Sequence, residues 1–551
     1  MLTGAGSPFE LEVRDIDGAP LRVFRRAPVS LREVWLDAAR RGDAPYFVFG
    51  DEVLTYGEAD AQVRSLATWM IGCGVRAGDR VAIGMRNYPE WAVAFWAAQC
   101  VGAVVVSLNA WWVTDELRFA IEDSGSRTLV LDGERLGRLD DGMLAETGVE
   151  NVVVVRSPAR PGTVAWEEAA GRPDAAMPSA APGADDAATI FYTSGTTGRP
   201  KGALGTQRNY VTNFMNSSFS AALAQAMAGN WPPTTPGVPP PAPRVLSTFP
   251  FFHIAGLCGM ISNTRNGALI ATMHKWDAGE ALALVERHRL TSLGGVPTVV
   301  RTFMEHPDFA RHDLSSLTAI SQGGAPVPPD LVARIETEFS GTVSAGNGYG
   351  LTETTGGVVA NSGAAYFARK DSVGLPAVGT DVRIAGPDGD ALPPRAVGEV
   401  WIQGPNNVRG YWNRPDATEQ AFGGGWFRTG DAGYLDEDGY LYVVDRIKDM
   451  VLRGGENVYC VEVETVLFEH PSVLDCAVIG LPHTVLGEEV VAVIVPEAGH
   501  GPADEESLLG HLSSRLAPFK VPSLVLWRSE ELPRNATGKV LKKALRDEYA
   551  P

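Results

Sequence analysis

The chain has 551 residues, too many for one simple core at roughly 100–200 residues per domain, so two or more domains are expected. Hydrophobic residues make up 45% and charged residues 21%, which excludes a wholly disordered or fibrous chain. Lys and Arg number 47 against 66 Asp and Glu; the net charge of −19 repels phosphate polymers and anionic membranes, so nucleic acid is not an expected partner.

The first residues, MLTGAGSPFELEVRD, show no basic region followed by an apolar run, so no secretory signal is read and a cytoplasmic setting is expected. Five cysteines (Cys73, Cys100, Cys258, Cys460 and Cys476) are odd in number and lack CxxC spacing, which points to reduced thiols and no zinc site. RVAIGM (80–85), AVVVSL (103–108) and RTLVLDG (127–133) read as buried strands, separated by the helix-like YPEWAVAFWAAQ and TDELRFAIEDSG. That alternation predicts an α/β fold with a largely parallel sheet. The apolar run Trp91–Leu108 approaches the length of a membrane span. Gln99 and Gly102 interrupt it and a β-branched tail follows, so it reads as a buried helix entering a buried strand, with no transmembrane segment.

Residues 157–188 read as a surface connection, and 230–244 as a Pro-rich loop without chemistry. The last hundred residues alternate strand, helix and strand in a compact α+β unit of about 105 residues, long enough to fold separately. The boundary is expected at Asp445–Lys448, giving domains 1–445 and 446–551.

The chemistry starts at Tyr192–Ala203, YTSGTTGRPKGA. A strand-like TIFY leads into glycines that let backbone N–H groups approach oxyanions. The hydroxyls of Thr193, Ser194, Thr196 and Thr197 add donors around Gly195, and Lys201 adds a charge. This suits a polyphosphate but is not the P-loop pattern.

The segment resembles the signature loop of the adenylate-forming superfamily of acyl-CoA synthetases, luciferases and peptide-synthetase adenylation domains. The rest of that family's pattern follows in order: GNGYGLTET (346–354), WFRTGD (426–431), VDRIKDMVLRGGENVYCVEVE (444–464) and PRNATGKVLKK (533–543), with LTYGEAD (54–60) earlier. The resemblance implies a large N-terminal multi-sheet α/β domain that binds AMP and a small mobile C-terminal α+β lid.

Under that resemblance Asn347 and Tyr349 meet the adenine, beside Gly324 and Ala325. Thr352 binds a phosphate oxygen and Glu353 a Mg²⁺ ion, for which a carboxylate is a suitable hard ligand. Asp431 accepts the ribose hydroxyls, with Arg446 alongside. Lys539, in the loop with Thr537 and Gly538, is the expected catalytic lysine; an ammonium placed where charge develops lowers the barrier electrostatically. Lys542 and Lys543 read as solvated. Lys448 matches the hinge, and Arg453, Gly454, Gly455 and Glu456 match the coenzyme A channel. The acyl pocket is expected from His253, Gly256, Leu257, Met260, Gly295, Gly323, Gly324 and Gly348. Cys460 stands where the family commonly has proline, and Trp111–Trp112 make a bulkier loop than usual.

The implied reaction has two steps, with ATP, Mg²⁺, coenzyme A and a small carboxylic acid as partners; a homodimer is left open. Adenylation of a medium- or long-chain fatty acid and transfer to coenzyme A is the expected activity. An aryl or cyclic acid, or a stand-alone acyl-AMP ligase loading a carrier protein, are the alternatives. A luciferase-like oxygenase has no sequence support, and intact Lys201, Glu353, Asp431 and Lys539 argue against a binding module without catalysis.

Overall fold

The computed structural model describes residues 2–193, 200–227, 241–324, 327, 329–339, 341–535 and 538–550. Two large sheets, a small antiparallel sheet and a C-terminal sheet carry the site, and a short hairpin (Leu11–Ile16 with Ala19–Phe24) precedes them.

The seven-stranded sheet contains the predicted strands as Arg80–Gly84, Val104–Ser107 and Thr128–Asp132, all parallel. At its edge Ala187–Thr193 pairs antiparallel with Lys201–Thr206, with Thr193 opposite Lys201. The nine-stranded sheet is parallel at its centre. There Ser292–Gly295, Ala319–Gly323 and Ser344–Leu351 lie side by side, and Gly356–Ser362 continues antiparallel.

Helix Pro89–Val101 ends on Gly102 in the left-handed region, the usual C-terminal stop. Its residues from Trp91 to Val101 are all buried in a core shared with Trp35, Tyr46 and Phe251. Two polar pairs lie inside this core. Trp96 Nε1 donates to Tyr46 Oη at 2.9 Å, and Gln207 Nε2 donates to Gln99 Oε1 at 2.7 Å. The apolar run is therefore a buried helix followed by the strand Val104–Ser107, and among the described residues no helix is long and apolar enough to cross a membrane.

Residues 157–188 are more structured than expected. They include the short strand Val164–Ala165 and the helix Trp166–Ala170, whose Trp166, Ala169 and Ala170 join the core. Residues 230–240 of the Pro-rich stretch lie outside the described residues.

The four-stranded antiparallel sheet runs Asp381–Ala385, Gly398–Gln403, Phe427–Leu435 and Leu441–Arg446. The C-terminal sheet starts at Val451 and combines Val451–Arg453, Glu456–Val458, Val473–His483, Gly487–Pro496 and Leu524–Trp527 with helices Cys460–Phe468 and Lys542–Tyr549. Between the last strand of one sheet and the first of the other lie only residues 447–450.

Candidate active site

Strand register builds the centre of the site. Asp431 on Phe427–Leu435 pairs with Arg446 on Leu441–Arg446, and the side chains meet as Arg446 Nε to Asp431 Oδ1 at 2.6 Å. The other carboxylate oxygen accepts from Tyr349 Oη, also at 2.6 Å. Tyr349 comes from the strand Ser344–Leu351 of a different sheet, so Asp431 ties two sheets together while being almost wholly buried. Thr429 Oγ1 accepts from Asp431 N at 3.0 Å, and Gly430 turns the chain at φ 70°. Burial, with the adjacent Asp431 charge, pushes the Tyr349 hydroxyl well above its ordinary range. Asn347 is half-buried on the same strand, opposite Gln322.

Immediately beyond Tyr349 the chain turns through a short 3₁₀ segment, Thr352–Thr354, that buries Glu353. Glu353 Oε1 accepts from Tyr411 Oη at 2.8 Å, and Lys201 Nζ sits 5.1 Å from the centre of the Tyr411 ring. Burial raises the Glu353 pKa above the usual carboxylate range, because desolvation disfavours the charged form. A hard cation beside it would restore that form, so the carboxylate fits the Mg²⁺ that normally accompanies ATP.

The sequence alone does not mark Tyr411. It sits in NVRGYWNRP, where no residue type marks it. What places it is pairing at long range: Leu204 N donates to Gly410 O at 2.9 Å and Trp412 N to Gly202 O at 2.7 Å.

Lys539 reaches the same place from the C-terminal unit. Its loop is held by Lys539 N donating to Asn535 Oδ1 at 3.0 Å and Asn535 N donating to Lys539 O at 2.9 Å. Gly538, at φ 78°, comes so close to Val296 of the large unit that an added Cβ would stand 3.2 Å from Val296 Cγ2. Burial and the charge of Arg446 lower the Lys539 pKa to about 8, while Asp431 opposes that shift. Lys542 is not solvated: its ammonium pairs with Glu464 at 2.7 Å in a nearly buried ion pair.

Val296 also lies beside Gly324. A Cβ at Gly324 would lie 3.9 Å from both Phe249 Cε1 and Val296 Cγ1, and one at Gly348 would lie 3.7 Å from Val359 O. Gly323 and Gly348 are paired neighbours on adjacent strands, so two positions without side chains lie next to Gly324. His253 precedes helix Ile254–Arg265; burial lowers its pKa to about 4, so it is neutral at physiological pH. Leu257 and Met260 are fully buried among the core side chains, and Gly256 packs against the Pro250 carbonyl. A Cβ at Gly259 meets nothing within 4 Å, so the Ala255–Gly259 face of this helix is the open one. Gly295 leaves room for the Thr248 and Val299 side chains. Trp111 stacks under Arg86 at 5.4 Å, and Trp112 packs edge-on to Tyr192.

Gly454 and Gly455, both at positive φ, form the exposed two-residue tip of the hairpin Val451–Arg453/Glu456–Val458, where such a tight turn favours glycine. Glu456 is exposed and Arg453 donates to Phe519 O at 2.8 Å. Lys448 is exposed between the two sheets. Thr193 borders the signature loop, and Thr352 is half-buried beside Glu353. Ser194, Gly195, Thr196, Thr197, Ala325 and Thr537 lie outside the described residues.

The family described as "AMP-binding enzyme" matches residues 34–412, and its C-terminal domain family matches 462–539. The chain is 38% identical over 504 residues to a feruloyl-CoA synthase from Amycolatopsis, covering 91% of this chain and 95% of that protein. It is 34% identical over 500 residues to a long-chain-fatty-acid–CoA ligase from Mycobacterium tuberculosis, covering 91% and 94%. Among solved structures, o-succinylbenzoate CoA synthetase from Bacillus subtilis, in complex with its acyl-adenylate, matches with a TM-score of 0.78 at 29% identity, covering 93% and 98%. Matched along most of its length by such proteins, the chain belongs to the AMP-binding, adenylate-forming enzyme family, in its acyl-CoA ligase branch, as an AMP-forming acid–thiol ligase that uses ATP and coenzyme A.

Proposed function

We propose that the acid is a planar aryl carboxylate of the hydroxycinnamate type, activated as its adenylate and transferred to coenzyme A. The observation that carries this is the gap at side-chain-free Gly324, next in sequence to the Gly323–Gly348 pair, where an added Cβ would stand 3.9 Å from Phe249 and Val296; a gap bounded in this way suits a flat ring. The 38% identity to a feruloyl-CoA synthase supports it. A medium- or long-chain fatty acid is the second reading, favoured by the 34% identity to a long-chain-fatty-acid–CoA ligase. On either reading the acyl wall is assigned to Gly323, Gly324, Gly348, His253 and the Ala255–Gly259 face, with Leu257 and Met260 behind it.

In the first half-reaction a carboxylate oxygen attacks the α-phosphorus in line and pyrophosphate leaves. Lys539 neutralises charge on the attacking and α-phosphate oxygens, and Lys201 neutralises the polyphosphate. Glu353, fixed by Tyr411, would hold the Mg²⁺, which supplies further neutralisation when bound. Tyr349, Asp431 and Arg446 hold adenine and ribose. In the second half-reaction the coenzyme A thiol attacks the acyl carbon, loses its proton, and AMP leaves. Both steps depend on placement and charge without an enzyme nucleophile.

The division at 445/446 and the hinge at Lys448 belong to the same proposal. The nearness of Lys539 to Arg446 and Asp431 while the Gly454–Gly455 tip is exposed supports an arrangement set for the first step. The test is a panel of acids, ferulate and cinnamate against C6 to C18 fatty acids, with ATP and with or without coenzyme A. Pyrophosphate and AMP are followed separately. A higher kcat/KM for ferulate, with AMP release dependent on coenzyme A, is expected; preference for the fatty acids selects the second reading.

A further inference from the structure

Asp445 is the next-to-last residue of the final strand of the four-stranded sheet, three residues before Lys448, and its carboxylate is almost wholly buried. One oxygen accepts from the N–H of Arg446 at 2.7 Å. The other accepts from the N–H of Cys460, the first residue of helix Cys460–Phe468 in the C-terminal unit. A helix leaves its first N–H groups without internal partners, and the Tyr459 side chain at the N-cap makes no capping bond. Asp445 therefore caps this helix from across Lys448, with a carboxylate at the positive end of the helix. The Cys460 thiol donates to Asp449 O at 3.1 Å, and Arg546 donates to the same carbonyl at 3.0 Å. Those two contacts lie on the C-terminal side of Lys448 and would move with that unit; the bond to Asp445 would not.

We infer that Asp445 and Cys460 are positioning residues: their bond latches the C-terminal unit in the orientation that keeps Lys539 beside Asp431 and Arg446, and it has to break for the unit to turn about Lys448. This rests on the hinge reading given above. The latch favours the first half-reaction and opposes departure to the second.

The sharpest probe is Cys460→Pro. Proline is well suited to the first position of a helix, and Tyr459, at φ −82° and ψ 116°, already has the extended backbone that proline imposes on its predecessor. The change removes the N–H donor together with the thiol, whereas Cys460→Ser keeps the N–H. A hydrogen bond to a buried charge is strong enough that single-turnover pyrophosphate release should slow roughly ten- to hundredfold in Cys460→Pro. Transfer from preformed acyl-adenylate to coenzyme A should be unchanged or faster, and Cys460→Ser should keep the wild-type ratio of the two rates. Equal rate ratios in all three proteins, or a proportional fall of both half-reactions, would overturn the latch. Should Cys460→Pro melt below assay temperature, Asp445→Ala removes the acceptor and is held to the same ratio. Lys448→Pro separates the two readings: if it impairs both half-reactions equally, the hinge falls and the latch with it. If it blocks only transfer while Cys460→Pro and Asp445→Ala leave the ratio unchanged, the latch alone falls.

Discussion

Asp431 and Arg446 are partners twice over: their backbones are in register across two antiparallel strands, and their side chains meet at 2.6 Å. Tyr349 fills the other carboxylate oxygen, so the group proposed to receive the ribose is already rigid. Asp431→Asn keeps the shape and deletes the charge. A lost hydrogen bond to a charged group is worth about 1.5–3 kcal/mol, so the KM for ATP should rise roughly ten- to hundredfold, with a smaller fall in kcat. An ATP titration of pyrophosphate release checks this; an unchanged KM would remove Asp431 from the nucleotide site.

The lowered pKa of Lys539 makes the first half-reaction sensitive to alkali. In the role proposed for Lys539 the protonated amine is the active form, and it is lost as pH rises through about 8 rather than near the usual lysine value. The kcat/KM for adenylation should be flat below about pH 7 and fall roughly tenfold per unit well above 8. Bound phosphate favours the ammonium, so kcat should hold to higher pH than kcat/KM. Lys539→Arg, charged throughout this range, should lower the rate but abolish the inflection. Persistence of the inflection in that variant would assign it to another group. Because Asp431 favours the Lys539 charge, Asp431→Asn should move the inflection to lower pH.

What was legible in the sequence was local. Helix Pro89–Val101 and the strands beside it followed from apolar runs and a glycine stop, and Asp431, Glu353 and Lys539 stood in contiguous motifs. What was hidden depends on distant pairing. Tyr411 meets Glu353 only because residues 409–412 pair with Lys201–Thr206, some 200 residues earlier in the chain. Lys542 reads as solvated because its partner Glu464 is 78 residues away in the chain and meets it only in the fold. Periodicity cannot choose a face for helix Ile254–Arg265, because Leu257 and Met260 are as apolar as pocket residues would be; they lie in the core, and Gly259 is the position with open space beside it. The Trp166 helix was masked by an Ala-, Pro- and Gly-rich composition that fits a loop equally well.

Glu353 is buried with its pKa raised and has one oxygen fixed by Tyr411. Glu353→Gln removes the negative ligand without changing volume. The Mg²⁺ concentration for half-maximal adenylation should rise several-fold, and the rate at saturating Mg²⁺ should fall, since a neutral amide is a weaker ligand for a hard cation. Tyr411→Phe should show a milder change of the same kind. An unaltered Mg²⁺ titration in both variants would take Glu353 out of the metal role.

Substrate size is best probed at Gly348. Gly324 is the more obvious place to fill the gap, but its φ of +78° makes any side chain there strained. Gly348 has no such constraint, and a Cβ there makes an ordinary contact with Val359 O at 3.7 Å. Valine suits a strand, so Gly348→Val should fold normally while intruding on the gap. Excluding about three carbons of substrate at about 0.8 kcal/mol each costs about 2.4 kcal/mol, or roughly sixtyfold in kcat/KM. The loss should fall on ferulate and other ring-bearing acids, leaving short acids and the KM for ATP near wild type. If the fatty-acid reading is right, the same variant gives a cutoff along an aliphatic series. With an unchanged Tm, an equal fall for every acid, or a raised KM for ATP, would show that Gly348 faces the nucleotide and not the acyl group.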